Sequence, residues 1–244
     1  MRNLRLDICY DGSRYRGWQR LPGKDDTIQA KLENALSKIL GEPIEISGSG
    51  RTDAGVHAQG QVANFHCGSQ MPCGEILENL RRYLPHDIGI YSCIEVPDRF
   101  HARLNARQKT YLYRIWNSEE PCVFQRRYVA VEPRKLDVQA MRKAADLLVG
   151  EHDFAAFCAN KHMKKSTVRR VYAIEIAQVG QEVQLSFTAN GFLYNMVRIL
   201  TGTLVEVGLG KRSADSVIAL FGAQRSEAGM LMPPEGLCLQ EVQY

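Results

Sequence analysis

The sequence has no apolar run that approaches eighteen residues, so we expect no membrane-spanning helix. It contains no Cys-x-x-Cys pair, and its seven cysteines are odd in number, which argues against a disulfide framework. The chain opens directly on Arg2, without the apolar segment of a signal peptide. Together these absences predict free thiols, a reducing compartment and a cytoplasmic location. The cysteines stand at positions 9, 67, 73, 93, 122, 158 and 238.

Signatures of nucleotide and metal sites are missing as well. Neither a Gly-x-Gly-x-x-Gly fingerprint nor a P-loop occurs, so the sequence indicates no dinucleotide-binding or P-loop site. The six histidines are scattered and indicate no zinc site.

Acidic residues are absent from two long stretches. The chain carries 31 basic and 27 acidic residues, and its net charge of +4 is by itself a weak indication of an anionic partner. Either stretch alone is typical of a solvated face, but two in one chain favour a phosphate-backbone partner. Residues 99–114 hold Arg99, Arg103, Arg107, Lys109 and Arg114, and residues 154–174 hold Lys161, Lys164, Lys165, Arg169 and Arg170.

Hydrophobic periodicity predicts strands alternating with helices. We expect an α+β fold with an N-terminal α/β subdomain over residues 1–104 and a C-terminal α/β subdomain over residues 105–244. The sheet should be mixed and mainly antiparallel, with helices packed on one side and a central cleft between the halves. Asp137 and Ser213 are expected helix caps, and Gly41 and Gly150 are expected helix ends. Predicted helices cover 27–40, 74–84, 136–149, 192–207 and 213–221, and predicted strands cover 4–9, 44–47, 61–66, 88–96, 110–116, 168–177, 183–188 and 237–242.

Residues 47–61 form a stretch with almost no bulky apolar side chain and with four glycines. Glycine allows positive φ and close approach of a ligand. We interpret the stretch as a loop between two strands with Arg51 and Asp53 at its tip, a common place for chemistry. A surface turn in which Asp53 bonds its own backbone would also fit. A metal pair of Asp53 and His57 is disfavoured, because the intervening Gly55 opposes a helix and no third ligand is near.

Residues 14–20 interleave Tyr15 and Trp18 with Arg14, Arg16 and Arg20. The aromatic rings could stack on nucleic-acid bases while the arginines hold phosphates. A hydrophobic plug with snorkelling arginines fits equally well.

Residues 51–58, Arg-Thr-Asp-Ala-Gly-Val-His-Ala, resemble the signature of the tRNA pseudouridine synthase A family. The Tyr-Asp-Gly and Gly-Trp-Gln elements of residues 10–19 resemble the same family near its N-terminus. The resemblance covers nearly the whole chain and implies the pseudouridine synthase fold, with the active site and a basic groove between two subdomains. It implies that Asp53 is the catalytic carboxylate. It also implies that Arg51 either fills the gap that a flipped nucleotide leaves or holds the phosphate of that nucleotide.

Three further elements resemble the family. In residues 109–113 the first tyrosine, Tyr111, is implied as an active-site residue, although a core aromatic would fit the same strand. In residues 192–198 the resemblance implies that Arg198 pairs with Asp53, and an arginine on an apolar helix needs an anionic partner or an exit to solvent. Residues 236–239 resemble the element that lines the uracil pocket, which implies substrate contacts for Leu237 and Leu239.

The implied reaction isomerises uridine to pseudouridine at positions 38, 39 and 40 in the anticodon arm of tRNA. It needs no metal and no cofactor, and the family is typically a homodimer that holds tRNA across both subunits. Asp53 could attack ribose C1′, add to C6 of the base or remove a ribose proton, and the sequence does not choose. The target base must be flipped out of its stack before it reacts.

Several alternatives stay open from the sequence. A non-catalytic RNA-binding protein would explain the basic stretches, and a carboxylate-dependent nucleoside hydrolase or transferase would also use Asp53. A paralogue acting on other uridines is a third alternative, since the chain departs from the family pattern. The departures are Leu21, Lys109, Met230–Met232 and Cys238.

Overall fold

The computed structural model describes residues 1–160, 163 and 165–244. Lys161 and Lys164 of the second basic stretch lie outside the described residues. Among the helices that the structure describes, none is long and apolar enough to cross a membrane.

Strands and helices follow one another along the chain much as the periodicity predicts. The N-terminal elements are β1 (Arg2–Tyr10), α1 (Ile28–Leu40), β2 (Ser47–Gly48), β3 (His57–Cys67), α2 (Cys73–Tyr83) and β4 (Ile88–Val96). The remaining elements are β5 (Gln108–Trp116), β6 (Ala130–Val131), α3 (Val138–Leu147), β7 (Gly150–Asp153), β8 (Val168–Val179), β9 (Glu182–Ala189), α4 (Met196–Gly208) and β10 (Leu237–Gln243).

The first compact unit consists of Met1–Arg107 together with Leu239–Tyr244. Its strands lie in the order β4-β1-β3-β10, with β2 paired to β3, and the pairs that β1 makes with β3 and β4 are antiparallel. Residues Leu4, Leu6 and Ile8 of β1 are fully buried because alternate side chains of a strand share one face. Helices α1 and α2 contact each other, and α2 packs against β4.

The second compact unit is Gln108–Cys238. Strands β5, β9, β8 and β7 lie in that order and pair antiparallel, whereas β6 pairs parallel to β5. Helix α3 packs against α4 and β8, and α4 contacts β5. The expected α+β class with a mixed, mainly antiparallel arrangement of strands is therefore confirmed, and the cleft stays a prediction.

The predicted caps and ends of the helices are only partly correct. Thr27 caps α1 through its side chain, Asp137 caps α3 in the same way, and Gly41 ends α1 at φ 72°. Gly150 does not end α3: the helix stops at Leu147, and Gly150 is the first residue of β7.

Two predicted elements differ in type from the structure. The predicted strand over 44–47 is wrong except at its last residue, because side chains bond the backbone there: Ile46 N–H donates to Glu33 Oε1 at 3.1 Å, and Gln29 Nε2 donates to the Ile46 carbonyl at 3.2 Å. The predicted helix over 213–221 is a 3₁₀ helix at Ala214–Leu220. Ser213 makes no side-chain cap, and its carbonyl accepts from the N–H of Ser216, which is the i to i+3 bond of that helix type.

Two predicted boundaries are also wrong. Strand β3 begins at His57, four residues before the predicted start, so the glycine-rich loop is shorter than expected. Helix α4 begins at Met196 rather than at 192, because Asn195 takes the left-handed conformation at φ 62° and no α-helix passes through it.

Candidate active site

The glycine-rich loop is fastened where it leaves β2. Ser49 is fully buried, and its N–H donates to the carbonyl of Val62 in β3 at 2.7 Å. Its hydroxyl donates to Gln61 Oε1 at 2.6 Å, and Gln61 Nε2 donates to the Gly50 carbonyl at 3.1 Å. These bonds fix the loop entrance against β3, since buried polar groups left without partners are costly.

The tip of the loop is fastened through Thr52. Its carbonyl accepts from the N–H of Trp18 at 3.0 Å, and its hydroxyl shares a buried 2.8 Å hydrogen bond with the Tyr10 hydroxyl. One residue further on, the Asp53 carbonyl accepts from Val56 N–H at 3.1 Å and closes a tight turn. The loop is therefore held from within by two side chains that the sequence did not single out for this role, Tyr10 and Thr52.

Two glycines of the segment after β1 allow this segment to lie directly on the loop backbone. A Cβ at Gly12 would lie 2.0 Å from the Val56 carbonyl oxygen, and a Cβ at Gly17 would lie 2.6 Å from the Thr52 carbonyl oxygen. Gly17 also has φ +96°, which L side chains rarely adopt. Both positions therefore require glycine, and both fix the backbone that carries Asp53.

Exposure alternates along the tip of the loop. Thr52 is buried, whereas Asp53 is half-buried and Arg51 is exposed. Within the described residues the Arg51 guanidinium makes no ion pair, so its charge is available to a ligand. The arrangement presents a carboxylate and a guanidinium from a backbone that is tightly bonded beneath them.

His57 lies in β3 rather than at the loop tip and is buried. Its Nδ1 lies 3.1 Å from the Gly12 nitrogen, whose N–H donates to it, and 3.2 Å from Asp11 Oδ1. Among the described residues, no group of three His, Cys, Asp or Glu side chains could hold a metal ion.

The arginine-aromatic segment of residues 14–20 is a plug rather than a stacking platform. Tyr15 and Trp18 are buried, and the Tyr15 hydroxyl donates to Asp87 Oδ1 at 2.6 Å. Burial, followed by the hydrogen bond to Asp87, raises the pKa of Tyr15. The arginines pair with carboxylates of the same unit, at 2.6–2.7 Å: Arg14 with Asp87, Arg16 with Asp26 and Arg20 with Glu33.

In the second unit, Tyr111 lies on β5 opposite Phe187 of β9 and is 8% exposed. The ring of Phe192 meets it edge-on, with centroids 5.2 Å apart and planes at 87°. This geometry is favourable for two aromatic rings and fixes the plane of the phenol.

Arg198 occupies the third position of α4. Its Nε donates to the Met232 carbonyl at 2.7 Å, and its Nη1 donates to Asn195 Oδ1 at 3.0 Å. The Met232 N–H in turn donates to the Arg198 carbonyl at 3.4 Å, so residues 230–232 run alongside the start of the helix. The guanidinium is thereby oriented by two acceptors from different segments.

The segment after Met232 packs on β5 of the same unit. The Tyr113 hydroxyl donates to the Pro233 carbonyl at 2.6 Å, and a Cβ at Gly236 would lie 2.7 Å from the Tyr113 ring. Burial, and secondly the charge of Glu235, raises the pKa of Tyr113, so this phenol stays protonated. Leu237 follows at 6% exposure and starts β10.

The predicted site residues divide between the units. Arg51, Asp53 and Leu239 belong to the first, and Tyr111, Arg198 and Leu237 belong to the second. Sequence reasoning missed Tyr10 and Thr52 as the side chains that hold the loop, and Asn195 as a hydrogen-bond acceptor of Arg198. The signal for Asn195 was in the sequence, because asparagine is the residue that most often takes the left-handed conformation after glycine.

The chain matches the sequence model of a family described as tRNA pseudouridine synthase over residues 8–105 and 144–244. These ranges include Asp53 and Arg198, whereas Tyr111 falls between them. The chain belongs to the tRNA pseudouridine synthase family.

Individual relatives of the family match the chain over its whole length. It is 47% identical to tRNA pseudouridine synthase A 2 of Bacillus cereus (strain ZK / E33L) over 245 residues, covering 100% of both chains. It is 47% identical to tRNA pseudouridine synthase A of Citrifermentans bemidjiense, covering 100% of this chain and 98% of the relative. A similar protein from Caldicellulosiruptor bescii is 44% identical over 100% of both chains.

Proposed function

We propose that the protein converts uridine to pseudouridine at positions 38, 39 and 40 in the anticodon arm of tRNA, with Asp53 as the catalytic carboxylate. The isomerase class itself follows from membership of the tRNA pseudouridine synthase family. The single observation that carries the role of Asp53 is its setting. It is half-buried at the tip of a loop whose backbone is bonded to Trp18, and the adjacent Thr52 is bonded to Tyr10.

The reaction moves one bond and exchanges one proton. The N1–C1′ glycosidic bond breaks, C5 bonds to C1′, the C5 proton leaves to solvent and N1 gains a proton. Asp53 starts this sequence by attack on C1′, by addition to C6 or by removal of a ribose proton. A carboxylate on a rigid backbone suits all three routes because each needs a fixed approach to the flipped nucleotide.

The roles of the other residues complete the proposal. Tyr111 places its phenol against the uracil ring, and its edge-on contact with Phe192 supports a fixed ring plane. Arg198 pairs with Asp53 and orients its carboxylate. Leu237 and Leu239 form an apolar wall of the uracil pocket, and their exposed fractions are 6% and 0%. The homodimer, the cytoplasmic location and the two subdomains at residues 1–104 and 105–244 stay predictions.

Isomerisation at C5 predicts release of the C5 hydrogen, which tests the proposed function. Unmodified tRNA labelled with tritium at uracil C5 should lose tritium on incubation with the purified protein. A matched transcript with cytidine in place of the uridines at positions 38, 39 and 40 should lose none. Release from both transcripts would contradict the anticodon-arm assignment and favour a paralogue with other target uridines. Binding without release from any RNA would contradict catalysis.

Arg51→Ala should leave stability unchanged and lower activity. The side chain is exposed and makes no ion pair within the described part of the chain, so the melting temperature should not move. Loss of a charge-assisted hydrogen bond to a phosphate should lower kcat/KM by about 10- to 100-fold. Steady-state tritium release measures this. The control is Arg82→Ala, an exposed arginine of α2, and an equal loss in both variants would contradict a specific role for Arg51.

A further inference from the structure

The start of α4 has an unusual backbone. Asn195 precedes the helix at φ 62° and ψ 10°, and among the described residues it is the only non-glycine residue with positive φ. Asparagine adopts this conformation more readily than most residues, but glycine does so without steric cost. A left-handed residue other than glycine is common at functional sites, where neighbouring contacts impose it.

The side chain of Asn195 is not used for the purpose that its position suggests. Asparagine at a helix N-cap ordinarily accepts a hydrogen bond from a backbone N–H of the first turn. Asn195 makes no such side-chain cap. Its Oδ1 instead accepts from Nη1 of Arg198, the side chain of the third helical residue, at 3.0 Å. The carboxamide therefore serves the arginine rather than the helix.

The backbone around Asn195 is bonded tightly enough to make this contact a fixed one. The carbonyl of Tyr194 accepts from Ala159 N–H at 3.0 Å, and the carbonyl of Asn195 accepts from Ile199 N–H at 3.1 Å. On the far side of the guanidinium, Arg198 Nε donates to the Met232 carbonyl at 2.7 Å. Because the guanidinium of Arg198 is planar, two acceptors on two of its nitrogens define both its position and its tilt.

We propose that Asn195 is a positioning residue of the reaction and acts through Arg198. Its left-handed backbone aims the carboxamide at the guanidinium, and that bond sets the direction in which Arg198 presents its charge. The inference rests on the proposed role of Arg198 toward Asp53. In this role the carboxamide acts on the arginine and not on the substrate, so its loss should slow the chemical step without weakening tRNA binding.

Asn195→Gly separates the backbone from the side chain. Glycine keeps the left-handed conformation and lacks only the carboxamide, so the melting temperature should stay at the wild-type value. We expect kcat for tritium release to fall about tenfold with KM unchanged, the pattern of an interaction that matters in the transition state. A raised KM with unchanged kcat would overturn the proposal, because the carboxamide would then serve substrate binding.

A double-variant cycle with Arg198→Met shows whether Asn195 acts through the arginine. Methionine has no donor, so Asn195→Gly should have no further effect in the Arg198→Met background, measured under single-turnover conditions. An undiminished tenfold loss in that background would overturn the inference. If the Arg198→Met variant reacted at the wild-type rate, the proposed role of Arg198 would be contradicted. If Arg198→Met slowed the reaction and Asn195→Gly did not, only the inference on Asn195 would fail.

Discussion

The Asp53→Asn variant should release tritium from C5-labelled tRNA at a rate about 10⁴-fold or more below that of wild type, since removal of a reacting group lowers the rate by this much in other enzymes. The change is isosteric, and the Asp53 carbonyl can still accept from the N–H of Val56. The fold and the tRNA-binding surface should therefore persist. Filter binding should give the wild-type affinity for the same tRNA, with a similar dependence on salt.

Asp25→Asn is the matched control for this variant. Asp25 is an exposed aspartate of the same unit, and the change removes the same charge. Its activity should equal that of wild type. Activity retained by Asp53→Asn would contradict the assignment of the catalytic carboxylate. Loss of tRNA binding together with activity would leave Asp53 a binding role only.

Gly17→Ala should damage stability and catalysis together. The new Cβ would lie 2.6 Å from the Thr52 carbonyl oxygen and 3.0 Å from the Asp53 carbonyl carbon, at a φ of +96°. The backbone must move, so the free energy of unfolding should fall by about 3 kcal/mol. For a chain of this size this corresponds to a drop in melting temperature of roughly 6–12 °C. Displacement of the Asp53 backbone by about 1 Å should lower kcat about 100-fold. Calorimetry and tritium release measure the two effects.

Gly23→Ala is the control that isolates the close contact. Gly23 also has positive φ, at +66°, but a Cβ there would meet no atom within 4 Å. Gly23→Ala should lower the free energy of unfolding only by the cost of placing alanine at positive φ, about 1–2 kcal/mol, and should leave kcat unchanged. Equal effects of the two substitutions on kcat would show that the contact between Gly17 and the loop does not position Asp53.

Most of the fold was predictable because local preference and burial agree along most of the chain. Strand β4 has the predicted bounds, and α1 ends at Gly41 as predicted. The errors occur where side chains take over backbone hydrogen bonds. At Ile46 both backbone groups bond side chains of α1, so an apolar stretch that reads as a strand does not pair as one.

The start of α4 shows a second kind of error. The apolar pattern of 192–195 continues the helical periodicity, and no pattern of hydrophobicity records the sign of one φ angle. The conformation of Asn195 therefore could not be predicted from periodicity, although its residue type allowed it.

The sequence indicates candidate site residues, which stay predictions, but it does not indicate the contacts that hold them in place. Asp53 and Arg198 stood out because a family signature and an isolated charge on an apolar helix are visible in sequence. The contacts that hold the loop of Asp53 in place could not be read from the sequence. Trp18 looked equally suited to stack on a base, and only its burial and its bond to the Thr52 carbonyl identify it as part of the scaffold.

The last strand has a consequence for biosynthesis. Strand β10 follows β3 in the sheet order of the first unit, and Tyr244 donates its hydroxyl to the Ala102 carbonyl at 2.8 Å. A nascent chain on the ribosome completes β3 long before it contains residues 239–244. At about 5–20 residues per second, the delay is on the order of ten seconds. During that time the part of β3 that pairs with β10 lacks this partner, and an unpaired strand edge can pair with strands of other chains.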